Sequence, residues 1–225
     1  LVYRDQRRLN ELVQGGLKAA KQLDKAMSVL EKKHFQLYGL KNSGGVLREV
    51  DRYGVDFRNV FGQTPLMIAS RMGNAELAKV LLDRDADTGL VDGNGLNAFQ
   101  ISLERACADE RYARAKLPAV FEPLAPASLD VQIDGRLVKL DRRLMEYTML
   151  CIAMVLFYQR LGENWASRRR LLSAVDFAVV LDHFPASVVP ARHKKRSYIS
   201  SILSKNEVSR QGPYNRKLFL RVRHG

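Results

Sequence analysis

A recurrence constrains this chain more than any other feature. Gly62-Gln63-Thr64-Pro65-Leu66 is answered 33 residues later by Gly95-Leu96-Asn97-Ala98-Phe99, and Ile68 by Ile101. Self-similarity at a fixed period of roughly 20–50 residues points to stacked units, none of which can bury its apolar face alone. Inside the first copy, GQTPLMIASRMGNAELAKVLL at 62–82, Thr64 suits an N-cap, and Pro65 at the first helical position forfeits no bonded N–H. Ala69 and Ser70 are small enough for a close helix pair, and Gly73 suits the turn between the two helices. Leu77, Val80, Leu81 and Leu82 then recur at helical spacing. The expected core of this unit is Leu66, Ile68, Ala69, Leu77, Val80 and Leu81.

These residues resemble the ankyrin repeat: a tight turn, TPLH-x-A, a glycine, a second helix ending in LL, and a returning hairpin. Met67 stands where that family usually has His. The 33-residue spacing is the ankyrin period. Tyr53-Gly54-Val55-Asp56 resembles the end of an earlier repeat, with Val46, Leu47 and Val50 on its outer helix. The resemblance implies one full repeat at 62–94 between degenerate ones at about 29–61 and 95–124. It also implies a protein-docking surface. By position in the repeat, Val60, Phe61, Gln63, Arg71 and Met72 project toward a partner, followed by Gly93, Asn94, Leu96, Glu104 and Arg105. Apolar side chains at exposed positions, Phe61 and Met72, fit a contact surface. Packing of Phe61 on a neighbouring repeat is an equal alternative.

Elsewhere the chain reads in blocks. Residues 5–31 place Leu9, Leu12, Val13, Leu17, Ala20, Leu23, Met27 and Leu30 at helical intervals, an amphipathic helix suited to capping the stack, with Gly15-Gly16 as a point of bending or breakage. Pro118, Pro123 and Pro126 should end the stack. SLDVQIDGRLVKLD holds two alternating runs around Asp134-Gly135, a hairpin signal. An apolar helix is expected over 142–161 and another over about 167–183. The run 144–158, LMEYTMLCIAMVLFY, carries only Glu146 as a charge. It is shorter than the roughly 20 residues a membrane span needs, so it reads as a core helix with Cys151 shielded.

Charge is concentrated at one end. Residues 160–225 hold 14 Lys/Arg against 4 Asp/Glu, a net of +10 out of the chain's +13. A basic end on a nearly neutral body signals a polyanionic partner, nucleic acid first, with an acidic protein or anionic lipid as alternatives. A short amphipathic helix, Ser197 to Ser204, is entered through Arg192-His193-Lys194-Lys195-Arg196 and followed by a polar turn and the alternating run Leu218–Arg223. This rhythm resembles the end of a winged helix-turn-helix domain of the HARE-HTH type. The resemblance implies DNA contacts from Lys194, Lys195, Arg196, Ser197, Ser200, Ser201 and Lys205 on the recognition helix. Arg210, Arg216, Lys217, Arg221 and Arg223 would lie on the wing, with Ile199, Ile202 and Leu203 facing the core. Arg221 and Arg223 also suit the wet face of an edge strand, and winged domains dock proteins as well as DNA.

Enzyme signatures are missing. His34, His183, His193 and His224 have no partner at metal-ligand spacing. Asp92-Gly93-Asn94-Gly95 is not followed by a phosphate-loop lysine, and Asp83, Asp85 and Asp87 lack the acidic twelfth position of a calcium loop. Cys107 and Cys151 are too few for a disulfide scaffold, and no secretory signal opens the chain, so a reducing compartment, cytoplasmic or nuclear, is expected. The start at Leu1 suggests a piece of a longer protein. The reading at this level is a mainly α protein. A short ankyrin-repeat stack with an N-terminal helix (1–124) precedes a basic α+β winged-helix-like domain (125–225). It would be a non-enzymatic adaptor with no cofactor, no membrane contact, a protein partner or another domain at the stack and DNA at the basic end, within a larger nucleic-acid-processing protein. The alternatives are a host-directed bacterial ankyrin effector and an accessory docking region of an enzyme.

Overall fold

A computed structural model describes residues 43–59, 61–161 and 171–222, with the backbone alone at 158–161, and isolated positions from Gly15 to Lys25. Those isolated positions, Gly15 and Gly16 included, are helical and exposed. The expected capping of the stack by this segment, Val60 and Arg223 lie outside the described residues.

Helix α1 (Ser43–Tyr53) buries Val46 and Val50, as its apolar spacing requires. Helices α2 (Pro65–Met72) and α3 (Ala75–Leu82) form the first full pair. Thr64 caps α2 by accepting from the Met67 N–H, while the Met67 sulfur accepts from the Thr64 N–H at 3.4 Å. One repeat later Asn97 and Gln100 play the same reciprocal parts at the start of α4 (Ala98–Ala108), with bonds of 2.9 and 3.0 Å. Leu66, Ile68, Ala69, Leu77 and Leu81 are all buried. Val80 is only half-buried, and Ala78 occupies the core in its place. On α3 the buried stripe runs through 77, 78 and 81, and Val80 falls on its flank.

The period breaks at one residue. Gly73 ends α2 in the left-handed conformation, φ 64° and ψ 32°. Its counterpart 33 residues on is Ala106, which has no such freedom. Helix α4 therefore runs on to Ala108, 11 residues against 8 in α2, and stops only at Asp109. Asp109 then caps α5 (Glu110–Ala115), and α6 (Leu117–Leu124) packs on α3 and α4 with Pro118 in its first turn and Pro123 inside it, so of the three prolines expected to end the stack only Pro126 lies past these helices.

Beyond the prolines the hairpin forms as its sequence demands. Strand β1 (Ser128–Ile133) pairs antiparallel with β2 (Arg136–Asp141), Ser128 opposite Asp141 and Ile133 opposite Arg136. Asp134 and Gly135 both take positive φ, 48° and 75°, the two-residue loop that matches strand twist. Helix α7 (Met145–Leu161) packs on α4 much as α4 packs on α2. Tyr147 is buried against Phe99, ring centroids 6.4 Å apart, and donates its hydroxyl to the Pro126 carbonyl at 3.1 Å. Cys151 is buried, and among the described residues no helix is long and apolar enough to cross a membrane. The apolar core is continuous from Val46 to Ile199.

Helix α8 (Ala174–His183) starts later than the sequence suggested. Ser173 and Asp176 form a reciprocal cap there, a signal that charge and hydropathy alone do not carry. A 3-10 turn (Ala191–Lys194) leads into α9 (Arg196–Lys205). The strand expected over 218–223 is reduced among the described residues to an isolated parallel bridge between Glu207 and Phe219. The chain there is held instead by side chains. Glu146 of α7, almost wholly buried, accepts from Asn206 Nδ2 at 3.1 Å and from the Arg216 guanidinium at 3.3 Å. Arg216 and Asn206 thus neutralise and solvate a carboxylate whose burial would otherwise be costly.

Candidate protein-docking cleft

Because α2 and α4 are stacked one repeat apart, residues 33 apart become neighbours at the C-terminal ends of both helices. Arg71 and Glu104 are such a pair, joined at 3.6 Å, and Met72 and Arg105 occupy the next matched positions. The extra turn of α4 and the short helix α5 add a wall. The result is a cleft of about 880 Å3 lined by Arg71, Met72, Glu104, Arg105, Asp109 and Tyr112, with Ala108, Arg111, Ala115 and Lys116 completing it.

The wall is anchored from below. Tyr112 donates its hydroxyl to the Ser70 carbonyl, and burial pushes that phenol well above its ordinary range, so it stays a neutral donor. A Cβ on Gly73 would lie 2.5 Å from Lys116 Cβ and 3.0 Å from the Tyr112 ring. Only glycine lets α5 seat against the α2–α3 turn. Asp109 Oδ1 accepts from the Arg111 and Tyr112 backbone N–H groups at 3.0 and 3.2 Å, and Oδ2 from Arg105 at 2.8 Å. The Tyr112 N–H above all, and then Arg105, hold its carboxyl below the usual carboxylate range. The cleft is therefore a charged, preorganised surface with an apolar floor.

The sequence model of the family described as ankyrin repeats (many copies) matches residues 57–102. That segment is an ankyrin-repeat unit. A search of curated proteins finds no match to the chain. The ankyrin match covers α2, α3 and the first half of α4, and of the cleft lining it includes Arg71 and Met72.

The docking residues expected from the ankyrin pattern divide into two groups. Arg71, Met72, Glu104 and Arg105 come together in the cleft. Phe61, Gln63 and Asn94 belong to the finger turns at the opposite ends of the helices, roughly 12 Å away along an eight-residue helix. Phe61 and Gln63 are half-buried there, and Asn94 and Gly93 are exposed. Leu96 was expected to project and does not: it is 5% exposed, because the finger turn folds its side chain into the ankyrin core. The wall residues Asp109, Arg111, Tyr112 and Lys116 were not anticipated. Their signal was Ala106 standing where the ankyrin period calls for glycine.

At the basic end, α9 buries Ile199 and half-buries Ile202 and Leu203, as expected. Its opposite face exposes Arg196, Ser197, Ser200, Ser201 and Lys205, with Lys195 exposed just before it. Arg210 and Arg221 are exposed in the following loop, where Arg210 pairs with Glu207 at 3.7 Å. Lys217 is half-buried at φ 56°. Two expected phosphate contacts are otherwise engaged. Lys194 donates its ammonium to the Phe184 carbonyl, and Arg216 is spent on Glu146. Both are half-buried, each answering an internal acceptor.

Proposed function

We propose that the chain is a non-enzymatic adaptor that docks a protein partner through the ankyrin cleft and binds nucleic acid, DNA first, through the exposed face of α9. The observation that carries the docking half is the convergence of Arg71, Met72, Glu104 and Arg105 into one preorganised cleft. Preorganisation lowers the ordering cost of association, and a concave surface with aromatic and Arg anchors suits a protein segment. Ala108 lies exposed on the rim, so Ala108→Trp fills the cleft without touching the core. Random-peptide display on the full chain should yield peptides that bind the wild type and not this variant. If every recovered peptide binds both proteins equally, docking at the cleft is wrong.

The nucleic-acid half is supported by a separate observation, the single polar face of α9 with Lys195, Arg196 and Lys205 at its ends. Each neutralised phosphate contributes about −0.9 to the slope of log affinity against log salt on duplex DNA. Replacing those three cations with Gln should flatten the slope by roughly 2–3 units. Ser200→Ala or Ser201→Ala should change sequence preference at nearly constant slope, because hydroxyls read base edges rather than release counterions. Absence of salt-dependent DNA binding below about 0.1 M salt would exclude this role.

A further inference from the structure

The geometry points to an acidic occupant: we infer that the cleft selects a short extended segment of its partner carrying two or more Asp or Glu side chains. This rests on the docking reading and adds the chemistry of what docks. The lining holds four cations, Arg71, Arg105, Arg111 and Lys116, against two carboxylates, Glu104 and Asp109. Both carboxylates already face cations of the cleft. Asp109 holds Arg105 at 2.8 Å and two backbone N–H groups, and Glu104 faces Arg71 at 3.6 Å.

The cations are not used up in return. The Arg71–Glu104 separation exceeds a direct hydrogen bond, and Arg71 Nε is buried without any hydrogen-bond partner. A guanidinium with donors to spare grips a carboxylate bidentately when one arrives. Arg111 is exposed and Lys116 half-buried, and neither forms an ion pair with a described residue. The cleft thus offers two positive charges in excess over an apolar floor of Met72 and the Tyr112 ring, with Ala108 and Ala115 exposed at its rim. Acidic side chains take the first and the apolar residues between them take the second. A basic segment would bury like charges against each other, and that repulsion selects against it.

The test uses the full chain and a labelled dodecapeptide alternating Glu with Leu, beside a copy in which Gln replaces every Glu. The acidic peptide should bind, lose several-fold in affinity as salt rises, and outbind the Gln copy at least tenfold. Arg111→Gln with Lys116→Gln should weaken it about tenfold while thermal unfolding stays nearly unchanged, since Gln keeps the Lys116 methylenes that pack beside Gly73 and neither cation loses a direct ion pair. Arg136→Gln with Lys139→Gln, which removes two exposed charges outside the cleft lining, should leave binding intact. Equal binding of the Gln copy, or loss on the second double substitution and not the first, overturns the inference. So does recovery of cleft-dependent display peptides that are neutral or basic, an outcome that leaves docking itself standing. Failure to recover any cleft-dependent peptide would remove both.

Discussion

Asn59 and Asp92, one repeat apart, do the same task with different chemistry. Asn59 Oδ1 accepts from the Phe61 and Gln63 backbone N–H groups, both at 2.9 Å, and Asp92 Oδ1 accepts from those of Asn94 and Leu96 at 2.9 and 3.1 Å. Each closes a finger turn whose glycine, Gly62 or Gly95, has positive φ. The pairing makes the two turns interchangeable in kind. Asp92→Asn should therefore leave stability nearly unchanged. Asp92→Ala strands two N–H groups at a buried site and should cost about 1–3 kcal/mol in urea unfolding. Equal costs for the two substitutions would show that charge, not acceptance, holds the turn.

Gly73 and Gly95 separate backbone strain from collision. Both have positive φ, but a Cβ on Gly95 meets nothing, whereas one on Gly73 strikes Lys116. Gly95→Ala should cost about 1 kcal/mol, the order of a strained left-handed residue. Gly73→Ala should cost clearly more and displace α5, read as faster exchange of the Lys116 amide, which bonds the Tyr112 carbonyl at 2.8 Å. Similar costs at both sites would mean that α5 does not seat on the turn.

Leu81 is fully buried and Val80 half-exposed. Leu81→Ala should cost about 2–5 kcal/mol, and Val80→Ala markedly less. Chemical denaturation of the two variants checks the ordering, and reversal would place the outer face of α3 elsewhere.

Burial pushes the thiols of Cys107 and Cys151 up to about 12, from an ordinary 9.0. At pH 8 neither should react with a thiol reagent in the native protein, and both should react quickly in urea. The sign of the linkage follows. Above about pH 9 the unfolded chain releases thiol protons that the folded chain keeps, so stability falls with rising pH by up to about 1.4 kcal/mol per unit for each thiol. Cys107→Ser with Cys151→Ser should reduce that alkaline loss, measured by unfolding at pH 8 and 10.5.

Arg216 answers Glu146 across the gap between the C-terminal segment and α7. Arg216→Ala leaves the carboxylate buried with Asn206 alone. Hydrogen exchange should then accelerate first at Val208 and Phe219, whose amides bond the Phe219 and Asn206 carbonyls at 2.9 and 3.0 Å, before α7 itself loosens. Glu146→Gln with Arg216→Ala should recover part of the protection, because the uncompensated charge is gone. Uniform exchange across the chain would deny the tie its local role.

Local features were legible in the sequence where the physics is local. Thr64, Gly73 and Asp134-Gly135 act through their own backbone angles and near hydrogen bonds, so caps, turns and the hairpin could be read from a few residues. The 33-residue period placed α2, α3 and α4 and brought Arg71, Met72, Glu104 and Arg105 to comparable positions. The tertiary structure decided what depends on distant partners. Leu96 turned inward because its finger packs on a stacked neighbour. Among the described residues, the alternating run expected to pair as a strand formed only the bridge from Glu207 to Phe219, because no described strand lies beside it to complete a ladder. The cleft wall arose from one missing glycine at position 106, whose effect on α4 is local but whose consequence for α5 is not. Charge identity belongs to the sequence, whereas availability does not: Lys194 and Arg216 became structural when folding brought Phe184 and Glu146 within reach, while Arg111 and Lys116 were left uncommitted.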